Sequence, residues 1–332
     1  MLILALLATQ AAPAQTETKA FGDWAVACDN IRFCEAASLL PSDHLENDPP
    51  QVAITREAGP AGKLAIDIAP PQEYRGGYRL EIDGKPVMRG MIAGPDLVMG
   101  GAEAERLAAA MLNGQQMVLL DQGGKALSKV SLKGIAATLR YIDAGQGRAG
   151  TVTALAARGA RPASTVPPAP AAPAIAAIRP SGAAAPVNKA MRAAMEKASE
   201  CEDMYPGSTP PAVETYALGG DKTLALIPCG AGAYNYSTAP FILSAGRFAL
   251  AKFDQRPGMS PEGPPMLVNA DWDPKLGLLA SYAKGRGLGD CGSMEQYVWD
   301  GARFRLVEAR SMGECRGSTN WLRNWTARAV MR

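Results

Sequence analysis

Residues 24–39 read WAVACDNIRFCEAASL. Two runs of apolar and small residues, Trp24 to Cys28 and Cys34 to Leu39, flank the polar turn Asp29 to Arg32, which is the pattern of a β-hairpin. A cysteine stands at the inner end of each run, so the turn brings Cys28 and Cys34 together as a pair. A hairpin closed by a disulfide predicts an antiparallel β-rich fold in an oxidising compartment.

Working upstream, Met1 to Ala14 read MLILALLATQAAPA. The apolar run Leu2 to Ala8, followed by Ala12-Pro13-Ala14, predicts a secretory signal peptide over 1–14, although no Lys or Arg precedes the run. It falls short of the roughly 20 apolar residues a membrane helix needs, and no other segment reads as a transmembrane span. Downstream, Val52–Thr55, Leu64–Ile68, Tyr78–Asp83, Gln116–Leu120 and Lys129–Leu132 continue the strand pattern. Helices are expected over Ala102–Leu112, rich in strong helix formers, and Gly134–Ala144, where Ile135, Leu139 and Ile142 have helical spacing. Residues 15–157 are thus expected to form a β-sandwich-like domain with two packed helices.

Residues 158–189, RGARPASTVPPAPAAPAIAAIRPSGAAAPVNK, are mostly Ala and Pro, with Arg158, Arg161, Arg179 and Lys189 and no acidic residue. This composition predicts an extended linker that buries no core. Residues 190–332 then open with a helix, about Val187 to Glu200, and continue as hairpins, among them Thr223–Pro228, Arg247–Phe253, Leu278–Ala283, Glu295–Trp299, Arg303–Ala309 and Trp325–Val330. Residues 245–250 (AGRFAL) are echoed by 301–306 (GARFRL), which reads as repeated hairpins in one meandering sheet. The fold class is therefore mainly β with a few helices (α+β): a sandwich-like domain, a linker, and an antiparallel hairpin-rich domain with one leading helix.

The 332 residues include six Cys and one His. A single histidine excludes two-histidine metal motifs, and His44 sits in the polar segment Pro41–Asp48, read as a solvated loop. A net charge of +2 argues against a nucleic-acid binder. Cys201, Cys229, Cys291 and Cys315 allow three pairings; Cys201–Cys229 and Cys291–Cys315 are favoured because each joins neighbouring elements. No CxxC spacing occurs, so structural disulfides are expected in place of metal or redox sites, and no metal or cofactor is expected.

The most unusual stretch is Lys284 to Cys291, KGRGLGDC. It lacks the Lys-Ser/Thr of a phosphate loop and precedes a strand, so it reads as a hairpin connection pinned by a disulfide. If Cys291 pairs with Cys315, Arg286, Asp290, Glu314 and Arg316 come together beside Trp299: either a polar binding surface or a salt-bridged knot. The Asn269–Gly277 stretch, with Asp271 and Asp273, is read as a capped hairpin in preference to a calcium loop.

Residues 21–28 (FGDWAVAC) and 130–139 (VSLKGIAATL) resemble the invasion-associated locus B proteins, exported bacterial proteins with a β-rich fold. With 283–292 (AKGRGLGDCG), 298–301 (VWDG) and 312–317 (MGECRG), the whole chain resembles the bacterial envelope family called "domain of unknown function 1176". The resemblance implies a Gram-negative periplasmic or secreted protein and supplies no catalytic residues. The expected function is non-catalytic binding of an envelope or host protein or glycan. The rivals are an envelope glycan hydrolase and an inhibitor of a host or competitor enzyme.

Overall fold

A computed structural model describes residues 15–42, 51–70, 74–258 and 262–332. The signal peptide expected over 1–14, and His44, lie outside the described residues.

The opening hairpin forms from β2 (Trp24–Cys28) and β3 (Cys34–Ser38), with Cys28 opposite Cys34 and a disulfide between them. Flanked by β1 (Lys19–Phe21), β4 (Gln51–Arg56), β5 (Leu64–Ala69) and β8 (Leu97–Gly100), it builds a six-stranded antiparallel sheet in the order β1-β2-β3-β4-β5-β8. A second sheet joins β6 (Gly76–Ile82), β7 (Lys85–Ile92), β9 (Gln116–Asp121) and β10 (Ala126–Ser131) in the order β10-β9-β6-β7. The two-residue period of the strands turns Trp24, Val26, Ile54 and Ile66 inward against Leu80, Met117 and Leu119. Helices α1 (Gly101–Met111) and α2 (Ile135–Gly145) complete this core with Leu107, Met111, Leu139 and Ile142.

The second half is again two facing antiparallel sheets. One contains β12 (Glu214–Gly219), β13 (Lys222–Ala231), β14 (Tyr236–Ser244), β15 (Arg247–Leu250) and β16 (Leu267–Val268); the other contains β17 (Asp271–Asp273), β18 (Leu278–Lys284), β19 (Gly292–Trp299), β20 (Phe304–Met312) and β21 (Leu322–Thr326). Leu224 and Leu226 of the first meet Leu279, Tyr297, Trp299, Phe304 and Leu306 of the second. Helix α3 (Lys189–Ala198) buries Met195 among Ala225, Ile227 and Phe241, where the Cys201–Cys229 disulfide ties the helix to β13. Asp273 caps its hairpin by accepting the backbone N–H groups of Lys275 and Leu276.

Three expectations change. The two copies of the sequence echo lie at hairpins of different sheets, β14-β15 and β19-β20, and not in one meander. The strand read as Trp325–Val330 breaks at Ala327, whose N–H turns to Val307; beyond it the chain enters β22 (Arg328–Met331). The Ala/Pro segment is extended, yet it does bury apolar surface. Its β11 (Ala174–Ala177) pairs in parallel with β22, and Ile175 and Ala177 pack on Val298 and Val307. Local composition shows no core there because the partner strand lies some 150 residues away in sequence.

The halves meet across the outer face of the first sheet. Ala25, Ala27 and Ala37, small enough to admit close approach, pack with Leu39 against Cys291, Met312, Trp321 and Leu322. Three arginines cross the seam to three carboxylates: Arg316 to Asp23, Arg310 to Glu35 and Arg323 to Asp29. Among the described residues no helix is long and apolar enough to cross a membrane.

Candidate functional site

A disulfide joins Cys291 to Cys315 and so fastens the glycine-rich loop to the turn after β20. At its base Gly292 has φ 142°, and a Cβ there would lie 1.9 Å from the Ala283 carbonyl oxygen. Arg286 grips Asp290 with both Nε (2.7 Å) and Nη2. Asp290 is buried and also accepts the Gly317 N–H at 2.6 Å. The hydrogen bond from Arg286 holds the Asp290 carboxyl below its ordinary value, against the opposing pull of burial.

Arg316 turns away from this pair. Its Nε donates to Leu40 O at 2.7 Å, Nη1 to Gly22 O at 2.8 Å and Nη2 to Asp23 at 2.5 Å, all in the other half. Glu314 contributes its carbonyl oxygen to Arg316 N. Trp299 is 3 % exposed, tilts against Phe304 in the core, and sits at the far end of β19 from Cys291. The five residues expected to share one surface therefore separate into a loop clasp (Arg286–Asp290), a seam anchor (Arg316), a turn residue (Glu314) and a core aromatic (Trp299). Spacing along β19 is the reason: seven residue steps at about 3.3 Å each carry Trp299 well away from the loop.

None of the five lines the cavity of about 400 Å³ between the halves, which residues of both halves enclose. Its floor is the outer face of the first sheet, where register sets Glu35 opposite Thr55 and Ala53 opposite Asp67. Its wall includes Tyr282, stacked on Trp321 at 4.6 Å and 12°, with Trp321 Nε1 donating to Gly289 O at 3.1 Å. Glu35 is fully engaged: it accepts Arg310 Nη1 at 3.1 Å and Arg323 N at 2.6 Å. Arg310 is in turn held by Glu308 and by Trp321 O. Asp67 differs. Its Oδ1 is buried and meets no hydrogen-bond donor among the described residues, and burial, then Asp96, raises its carboxyl above the usual value. Among the described residues no group of three or more His, Cys, Asp or Glu is placed to hold a metal ion.

Sequence reading did not single out Asp67. In LAIDIA it occupies an ordinary outward position of an amphipathic strand, and the residues that cover it, Tyr282 to Leu322, lie more than 200 positions on.

Residues 18–328 match the family described as "Protein of unknown function (DUF1176)". The uncharacterized protein YpfG of Escherichia coli (strain K12) is 31% identical, over 99% of this chain and 98% of its own length. Among solved structures, invasion associated protein B from Bartonella henselae aligns with 40% of this chain and 99% of its own, at 19% identity and a TM-score of 0.31.

Proposed function

We propose that this chain, which belongs to the DUF1176 family of proteins of unknown function, is an exported, non-catalytic protein that binds an envelope or host component in the cavity between its halves. Three disulfides, with no free cysteine among the described residues, support an oxidising compartment, periplasmic or extracellular. One observation carries the binding reading: Asp67, a carboxylate without an ion-pair partner among the described residues and with one oxygen buried without a donor, lines a cavity walled by a stacked aromatic pair. The half-buried carboxyl offers an acceptor to a ligand hydroxyl or amine beside the aromatic rings. Hydroxyl-rich glycan segments have that chemistry. The hydrolase reading needs a second working carboxylate, and Glu35 is committed to Arg310 and the Arg323 N–H.

Calorimetric titration of the full chain with soluble envelope glycan fragments tests this. Binding is expected to the native protein and to be lost in Ala53→Trp, which fills the cavity floor, with the glycan recovered uncut. Undiminished binding by Ala53→Trp, or no binding by either protein, overturns the site. Cleavage that Glu35→Gln abolishes restores the hydrolase.

A further inference from the structure

The two hairpins of the sequence echo face one another across a second groove, and it shares no residue with the cavity between the halves. The groove encloses about 620 Å³, within the range of small-molecule sites. Its floor is apolar, from Ile242 and Trp299, and its mouth is narrow in side chains, with Ala249, Gly301 and Ala302; Phe248 and Leu250 border it but pack on the other face of β15, with Phe241. The flank formed by β15 is the last strand of its sheet.

Charge on the rim is one-sided. Arg247 and Lys252 are exposed and have no ion-pair partner among the described residues. Lys222, at one end, donates to Ser244 Oγ at 2.6 Å and lies 3.6 Å from Asp221. The neighbouring carboxylate, Asp300, is already engaged by Arg303 and Arg305. An apolar trough with two unneutralised cations at its rim complements a molecule with an apolar tail and a negative head. We infer that this groove binds an anionic amphiphile, its acyl chain against Ile242, Ala249 and Trp299 and its carboxylate or phosphate on Arg247 and Lys252.

Displacement of a fluorescent long-chain fatty acid from the full chain tests the inference, with four competitors below their micelle concentrations: oleate, methyl oleate, lysophosphatidylglycerol and lysophosphatidylcholine. Oleate or lysophosphatidylglycerol is expected to displace the probe, and which of the two does so tells a free acid from a lipid headgroup. Their neutral or zwitterionic counterparts are expected to compete about tenfold less well, the scale of one lost charge-assisted hydrogen bond. Arg247→Glu with Lys252→Glu is expected to weaken the probe by at least about tenfold. Both positions are exposed, so the fold stands, and an unchanged melting temperature checks it. Ala249→Trp blocks the trough sterically as an independent variant. Equal affinity in the charge-reversed protein, equal competition by methyl oleate, or displacement by an acidic extended peptide but by neither anionic lipid overturns the inference.

Discussion

Arg316 reaches across the seam to Asp23, Gly22 and Leu40, whereas Arg286 stays within its own loop on Asp290. Truncating Arg316 leaves two carbonyls and a buried carboxylate short of a donor. We expect Arg316→Ala to lose about 2–3 kcal/mol in urea unfolding; a loss within error of zero would contradict the anchoring role. Asp290 makes a prediction of opposite visibility, in pH. Its folded-state pKa lies below its unfolded one, so its stabilisation is complete above the unfolded value and disappears as pH falls through the folded value. The stability difference between the native protein and Asp290→Asn is therefore expected to shrink on acidification through the carboxylate range; a constant difference in Tm from neutral to acid pH would refute it. The Arg286–Asp290 contact was legible in the sequence because the partners stand four positions apart in one loop. The Arg316–Asp23 contact was not, because 293 positions separate them and only the folded seam makes them neighbours.

The strands tell the same story one level up. Where apolar and polar residues alternate up to a turn signal, as in Tyr78–Asp83, the sequence locates the element. β7 escaped because Pro86 and Gly90 interrupt its pattern, which an edge strand tolerates. β11 escaped because alanine and proline conceal a strand whose pairing is non-local. Two substitutions weigh these elements. Gly292→Ala puts a methyl into the Ala283 carbonyl at the Lys284–Gly292 register position, so β18 and β19 must part there. We expect a loss of about 2–4 kcal/mol in thermal or urea unfolding, and a neutral substitution would show that the strand ends adjust freely. Ile175→Asp places a charge against Val298 and Val307; it is expected to destabilise by about 3 kcal/mol or more, whereas a linker residue would tolerate it with no measurable change.

At the scale of the molecule, the composition break at 158–189 marks two domains and an extended linker and says nothing of whether the domains pack together; in the structure they do. The join has an apolar part, alanines of the first sheet against Met312, Trp321 and Leu322, and a charged part in which every arginine comes from the second half and every carboxylate from the first. Such one-way complementarity fixes how the halves dock, since slippage leaves Asp29, Glu35 and Asp23 without their arginines in a half-buried seam. It also sets the cavity, because Arg310 is a seam anchor and a cavity wall at once. If the seam couples the halves, calorimetric unfolding of the native chain is a single transition whose van't Hoff and calorimetric enthalpies agree. Arg310→Ala with Arg323→Ala removes two of the three crossing pairs without touching either inner core. The double variant is expected to resolve two transitions, each half melting on its own, and to lose glycan binding at the cavity while fatty-acid displacement at the second groove persists. Two transitions already present in the native protein would mean that the halves fold independently and that the cavity is a place where they touch, not one that they hold.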